Sequence, residues 1–192
     1  MFKSVLGVVA AVALIAGGVA VAQDMGGGDK KDQEMPVAKP TKEHEVLKHY
    51  AGTWTVKGKF TMPDGSTMEE DGVETASLVG DGLWLVFDNK SRMMGKPFHG
   101  HGVMGYDPEK KKYVGTWVDS MIDYLIVFEG TGDGKTITTH YEMKDCMNPG
   151  KTMRIKQVHE IQDADHHKMT AYFPSPDGKE FPGMVLEYTR KK

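Results

Sequence analysis

The chain of 192 residues reads as an all-β protein: an antiparallel up-and-down barrel of about ten strands, preceded by one short helix. Three observations predict this. Five Asp-Gly dipeptides (Asp64-Gly65, Asp71-Gly72, Asp81-Gly82, Asp133-Gly134 and Asp177-Gly178) punctuate the chain. Asp-Gly favours tight hairpins, because both central residues of a type I′ turn need positive φ, which glycine adopts without steric penalty. Between most of these dipeptides large apolar and polar residues alternate, the period of strands with one wet and one dry face. The links are also too short for crossover helices, so consecutive strands should be antiparallel neighbours.

The elements follow in order. Lys3 supplies a positive start, Val5 to Val19 are apolar or small, and Ala20-Val21-Ala22 matches a signal-peptidase site. Residues 1–22 therefore read as a signal peptide cleaved before Gln23. A retained anchor is the alternative, but a run of roughly 18 apolar residues is near the lower limit for a span. Gly7, Gly17 and Gly18 also favour cleavage. The expected product is an exported protein, periplasmic or extracellular, with no membrane span in the mature chain. Residues 23–40, with Gly26-Gly27-Gly28 and mixed charge, read as a disordered linker. Residues 41–192 are the size of one domain with a single core. A helix is expected at 41–50, capped by Thr41, with Glu43 and Glu45 in its first turn and Gly52 ending it. Strands follow near 53–62, 66–79, 83–92, 98–106, 112–120, 122–130, 135–143, 151–162, 167–174 and 182–190. So many strands leave edges, which barrel closure removes; an open two-layer sandwich is the alternative.

Composition excludes some classes. There are 24 Lys plus Arg against 27 Asp plus Glu, and only three of the basic residues are Arg. No basic run lies beside exposed aromatics, so nucleic acid is not an expected partner. The single cysteine, Cys146, rules out an internal disulfide framework and leaves the core to hold by packing. It sits in the loop-like stretch 144–150, where it is free to pair between chains or to carry no chemistry at all.

After the short helix, Gly52-Thr53-Trp54 resembles the Gly-x-Trp signature of lipocalin-like (calycin) barrels. The resemblance implies that Trp54 closes the barrel floor and that Arg190, on the last strand, packs across it. Further on come Gly95-Lys96-Pro97-Phe98, Gly100-His101-Gly102, Gly105-Tyr106-Asp107, Trp117-Val118-Asp119-Ser120 and Phe128-Glu129-Gly130. Together they resemble the bacterial exported family known as domain of unknown function 1579, over roughly residues 42 to 190. That resemblance implies a barrel and carries no activity with it. Related haem-binding barrels have a longer Gly-rich run around the first Trp and a late His. Here Thr55-Val56-Lys57 follows Trp54 and no His follows His167, so haem is disfavoured and no cofactor is expected.

Bulky residues able to face inward (Trp54, Phe60, Phe87, Met104, Trp117, Phe128, Tyr141, Phe173) point to a cavity for a small apolar molecule. The candidate ligand-binding residues are Trp54, Phe87, His101, Trp117, Asp119 and Tyr141. Asp119 shares a strand face with Trp117, where it is either a carboxylate inside the barrel or a rim residue fixing the following turn. His99 and His101 lie two apart on one strand and can pair as metal ligands, with His140 and His159 as possible additions. The 14 methionines form no Met-x-Met cluster, so packing explains them better than copper. No Gly-x-Ser-x-Gly elbow, phosphate loop or His-Glu-x-x-His is present, which makes an enzyme the less favoured reading. The alternatives to a ligand-binding barrel are a metal-binding protein using His99 and His101, and a non-catalytic structural or partner-binding barrel. Oligomeric state is not legible in the sequence.

Overall fold

A computed structural model of the chain describes residues 37–62, 64–145, 148–175 and 178–192. The stretch read as a signal peptide, most of that read as a linker, and Cys146 lie outside the described residues. Residues 38–192 form one compact unit. Ten strands build it: β1 (Gly52–Thr61), β2 (Thr67–Val79), β3 (Trp84–Met93), β4 (Lys96–Asp107), β5 (Lys112–Asp119), β6 (Ile126–Gly132), β7 (Thr136–Lys144), β8 (Thr152–Ile161), β9 (His166–Pro174) and β10 (Glu180–Arg190). Each pairs with the next, and β1 pairs with β10 over Trp54↔Arg190 to Phe60↔Met184, closing the barrel. The fold is the antiparallel up-and-down barrel that the alternation predicts, and closure excludes the open sandwich.

The turns use Asp-Gly in more than one way. Asp81 and Gly82 both have positive φ (56° and 100°), as the type I′ argument requires. At Asp64-Gly65 and Asp133-Gly134 only the glycine does. There the aspartate carboxylate accepts backbone N–H groups instead, from Ser66 at 2.9 Å and from Thr136 at 2.7 Å. Asp71-Gly72 is no turn at all and lies inside β2. A Cβ on Gly72 would sit 2.6 Å from the Ser91 Cβ, so glycine here admits the neighbouring strand. Met94-Gly95, with φ of 53° and 72°, makes a two-residue hairpin that no Asp-Gly announces.

Strand parity decides what faces the interior. On β1 residues 54, 56 and 58 are buried and 55, 57 and 59 exposed; on β2 the even positions from 68 to 78 are the less exposed set. All eight bulky residues named above share the parity of the buried face. β6 starts at Ile126 and not near 122, because Asp119 accepts the Met121 N–H at 2.7 Å and turns the chain into a loop. β6 and β7 pair only from Glu129↔His140 to Gly132↔Ile137. Their remaining lengths, Ile126–Phe128 and Tyr141–Lys144, run without mutual pairing. A hollow of about 440 Å³, lined by Val127, Glu129, His140, Tyr141, Glu142 and Arg154 among others, marks this seam.

The predicted helix is a 3₁₀ turn (Lys42–Val46) running into a single helical turn, α1 (Leu47–Tyr50). Thr41 is its N-cap, as expected: its backbone N–H donates to His44 Nδ1 at 2.9 Å and its hydroxyl to Glu43 at 2.7 Å. Leu47 and Tyr50 enter the core with Leu85, Met104, Tyr113 and Ile137. The segment is held to this end of the barrel by Tyr113 Oη, which donates to the Glu43 carbonyl at 2.8 Å.

Candidate functional site

The floor of the barrel is a locked assembly. Trp54 is fully buried and donates through Nε1 to the Tyr50 carbonyl at 2.8 Å. The Arg190 guanidinium lies 4.0 Å over the Trp54 ring. It also donates to the Ala51 and His49 carbonyls, each at 2.8 Å, so the last strand caps the end of α1. Gly52 has φ of +132° and its missing Cβ leaves room for Arg190 Nη1, 2.6 Å from where a Cβ would stand. Trp54 is therefore structural floor, sealed from the barrel interior, and not a group that a ligand touches.

Above the floor lies a polar layer of which the sequence reading singled out only His159, as a metal ligand. His167 stacks on Tyr188 (centroids 4.0 Å apart, 17° between planes) and meets Trp54 and Tyr50 edge-on at 4.4 and 5.0 Å. Burial, then the nearby His159, His49 and Arg190, holds His167 down to about 2, and burial holds His159 to about 4. Both imidazoles are neutral at physiological pH. Glu74, beside Trp54 in the β1–β2 register, is raised to about 7, chiefly by burial. The neighbouring Asn89 and Tyr188 side chains oppose that rise. Among the described residues, Tyr50 Oη, Thr139 Oγ1, His49 Nε2 and both His167 nitrogens are buried without a hydrogen-bond partner in the protein. Parity was the available signal: Glu74 alternates in step with Met68, Gly72, Ala76 and Leu78.

The upper wall is aromatic. Trp117 stacks on Phe87 at 5.8 Å and 22°, and its Nε1 donates to Asp119 at 2.9 Å. Two glycines on β4 make this possible. A Cβ on Gly100 would lie 2.1 Å from the Trp117 ring, and one on Gly102 would lie 2.4 Å from Phe87. The rings thus lie flat across the inner surface of β4. Asp119 combines both roles foreseen for it, since it faces inward, holds the Trp117 indole and fixes the turn at Met121. Tyr141 lies on the inner face of β7, between the two halves of the core.

His101 takes the opposite side. With Gly100 and Gly102 facing in, His99 and His101 face out, and His101 Nδ1 lies 2.8 Å from Asp88 on the outer surface. The expectation that His101 meets a ligand inside the barrel is corrected. The four-histidine metal set is likewise not assembled. His140 faces out on β7, whereas His159 faces in on β8, pairs in register with Ile137 and packs edge-on to Tyr50 at 6.3 Å. Among the described residues no group of three His, Cys, Asp or Glu is arranged to hold a metal ion.

Known proteins agree with this architecture. The model of the family described as "Protein of unknown function (DUF1579)" matches residues 39–190. No curated protein matches the chain. Among solved structures, Rv2717c from M. tuberculosis is similar with a TM-score of 0.60 at 14% identity, covering 80% of this chain and 100% of that one. The S-type phycobiliprotein lyase CPES from Guillardia theta is similar with a TM-score of 0.54 at 14% identity, covering 77% of this chain and 92% of that one. At such identity the likeness is one of fold.

Proposed function

The chain belongs to the DUF1579 family, whose description leaves its function unknown, and we propose from the barrel itself that it binds a small, largely apolar molecule. One observation carries this reading. Some side chains that point inward are sealed, and others keep accessible surface. Trp54, Val56, Leu85, Met104 and Ile137 have at most 3% exposure, whereas Phe87, Trp117, Tyr141, Met143, Met153 and Phe173 are only partly buried. Surface left on an inward side chain is offered to whatever enters the barrel. The result is a cup with an aromatic and thioether wall. Phe87, Trp117, Asp119 and Tyr141 are the proposed wall contacts, and Met143 and Met153, paired in register, add an adaptable surface.

The test uses N-phenyl-1-naphthylamine, a neutral apolar fluorophore that brightens when desolvated. Wild-type protein is expected to bind it, Trp117→Ala to weaken binding about tenfold through lost aromatic contact, and His101→Ala to leave it unchanged. Failure of the wild type to bind would favour a structural or partner-binding barrel. We also propose export through residues 1–22. N-terminal sequencing of protein from its host is then expected to begin at Gln23, and retention of Met1 would overturn that proposal.

A further inference from the structure

Most groups around the cup are aromatic or aliphatic, and Glu74 stands out among them. Its carboxyl lies deep enough for burial to dominate its behaviour, yet the residue keeps accessible surface. By parity it points inward from β2. Its neighbours in register are Trp54 on β1 and Asn89 on β3, and Asn89 is 7% exposed. Tyr188, 6% exposed and braced by the stacked His167, reaches it from β10. Asn89 and Tyr188 both favour the ionised carboxyl, so the Asn89 amide and the Tyr188 hydroxyl are donor groups turned toward it. A neutral carboxyl beside two donor groups keeps its own O–H to donate elsewhere.

We propose that Glu74, held by Asn89 and Tyr188, is the polar anchor of the cup, and that the ligand is a neutral amphiphile whose head accepts a hydrogen bond. A ketone, aldehyde, ether or alcohol head fits, with the apolar body running along Phe87, Trp117 and Tyr141. An anionic head does not fit. It would be buried beside a carboxyl, with both internal histidines neutral. This inference rests on the ligand-binding reading above and gives it a substrate class.

Competition against bound N-phenyl-1-naphthylamine separates the two claims, using 2-decanone and decanoate at a pH below the Glu74 midpoint. Wild type is expected to bind 2-decanone more tightly than decanoate. Glu74→Leu is expected to lose about tenfold in 2-decanone affinity, the scale of one buried hydrogen bond, and to hold the fluorophore within about twofold. Glu74→Gln, which keeps an N–H donor, should restore the ketone to within about threefold. Should the leucine variant fail to fold, the side-chain carboxyl carbon resonance of Glu74 in wild type, assigned by its absence in Glu74→Gln, gives the same answer. It moves on adding 2-decanone and stays in place with the fluorophore alone. Equal ketone affinity in wild type and Glu74→Leu, preference for decanoate, or an unmoved resonance overturns the anchor while the cup stands. Failure of the wild type to bind either neutral compound overturns both.

Discussion

Trp54→Ala is expected to cost about 4 kcal/mol of folding stability, the usual scale for truncating a fully buried tryptophan. The indole has no exposed surface, and three separate contacts depend on it: the hydrogen bond to the Tyr50 carbonyl, the stacked Arg190 guanidinium and the edge contact with His167. Its loss opens a cavity at the point where the helix, the first strand and the last strand meet. With total stabilities of about 5–15 kcal/mol for domains of this kind, the variant would stand close to unfolding. Urea denaturation followed by circular dichroism measures the difference. A loss below about 1 kcal/mol would show that the floor holds without the indole. Exposed His101, tied only to Asp88, should by contrast be replaceable at almost no cost.

Acidification is expected to produce the second large effect. In the unfolded chain His159 and His167 take up protons near 6.5, whereas in the folded protein burial holds them to about 4 and about 2. Between those values the unfolded chain binds more protons, so stability falls as the pH drops below about 6.5. Each pH unit in that window costs about 1.4 kcal/mol per imidazole, about 3 kcal/mol in all for His159. Glu74 works in the other direction. Raised from 4.5 to about 7, it keeps a proton that the unfolded chain has released, so its contribution falls as pH rises through that interval. Two imidazoles outweigh one carboxyl, and the net stability rises with pH. Glu74→Gln removes the opposing effect, so its loss on going from near neutrality to about pH 4.5 should exceed that of wild type by about 3 kcal/mol. Thermal melts across this range decide the matter; a melting temperature that is flat or rises in acid would contradict the buried neutral imidazoles.

The strands were legible because alternation records which side of a wall each residue faces, and a closed wall repeats that record many times. The one large boundary error, at β6, has a local cause. Met121-Ile122-Asp123-Tyr124 is rich in bulky apolar residues like a strand, but the Asp119 carboxylate captures the Met121 N–H and ends the extended run. The interior was harder to read. The Gly100-His101-Gly102 stretch draws attention to its imidazole, whereas the glycines are the inward residues, empty so that Trp117 and Phe87 can lie over them. Glu74 escaped notice because it follows Glu69, Glu70 and Asp71, and an acidic stretch ordinarily reads as a solvated surface. Its parity places it inside. The contacts of His167 depend on which strands become neighbours on closure, information that no single strand contains.

Pairing of β1 with β10 makes the two ends of the domain each other's partners: Trp54 waits for Arg190, well over a hundred positions later. The floor cannot be sealed by any chain that stops short of its final strand. Assembly is thereby bound to completion, since loop closure over nearly the whole domain must precede the contacts that reward it. A product truncated by even a dozen residues should present an uncovered hydrophobic trough, an easy mark for proteolysis, and not a slightly weakened barrel.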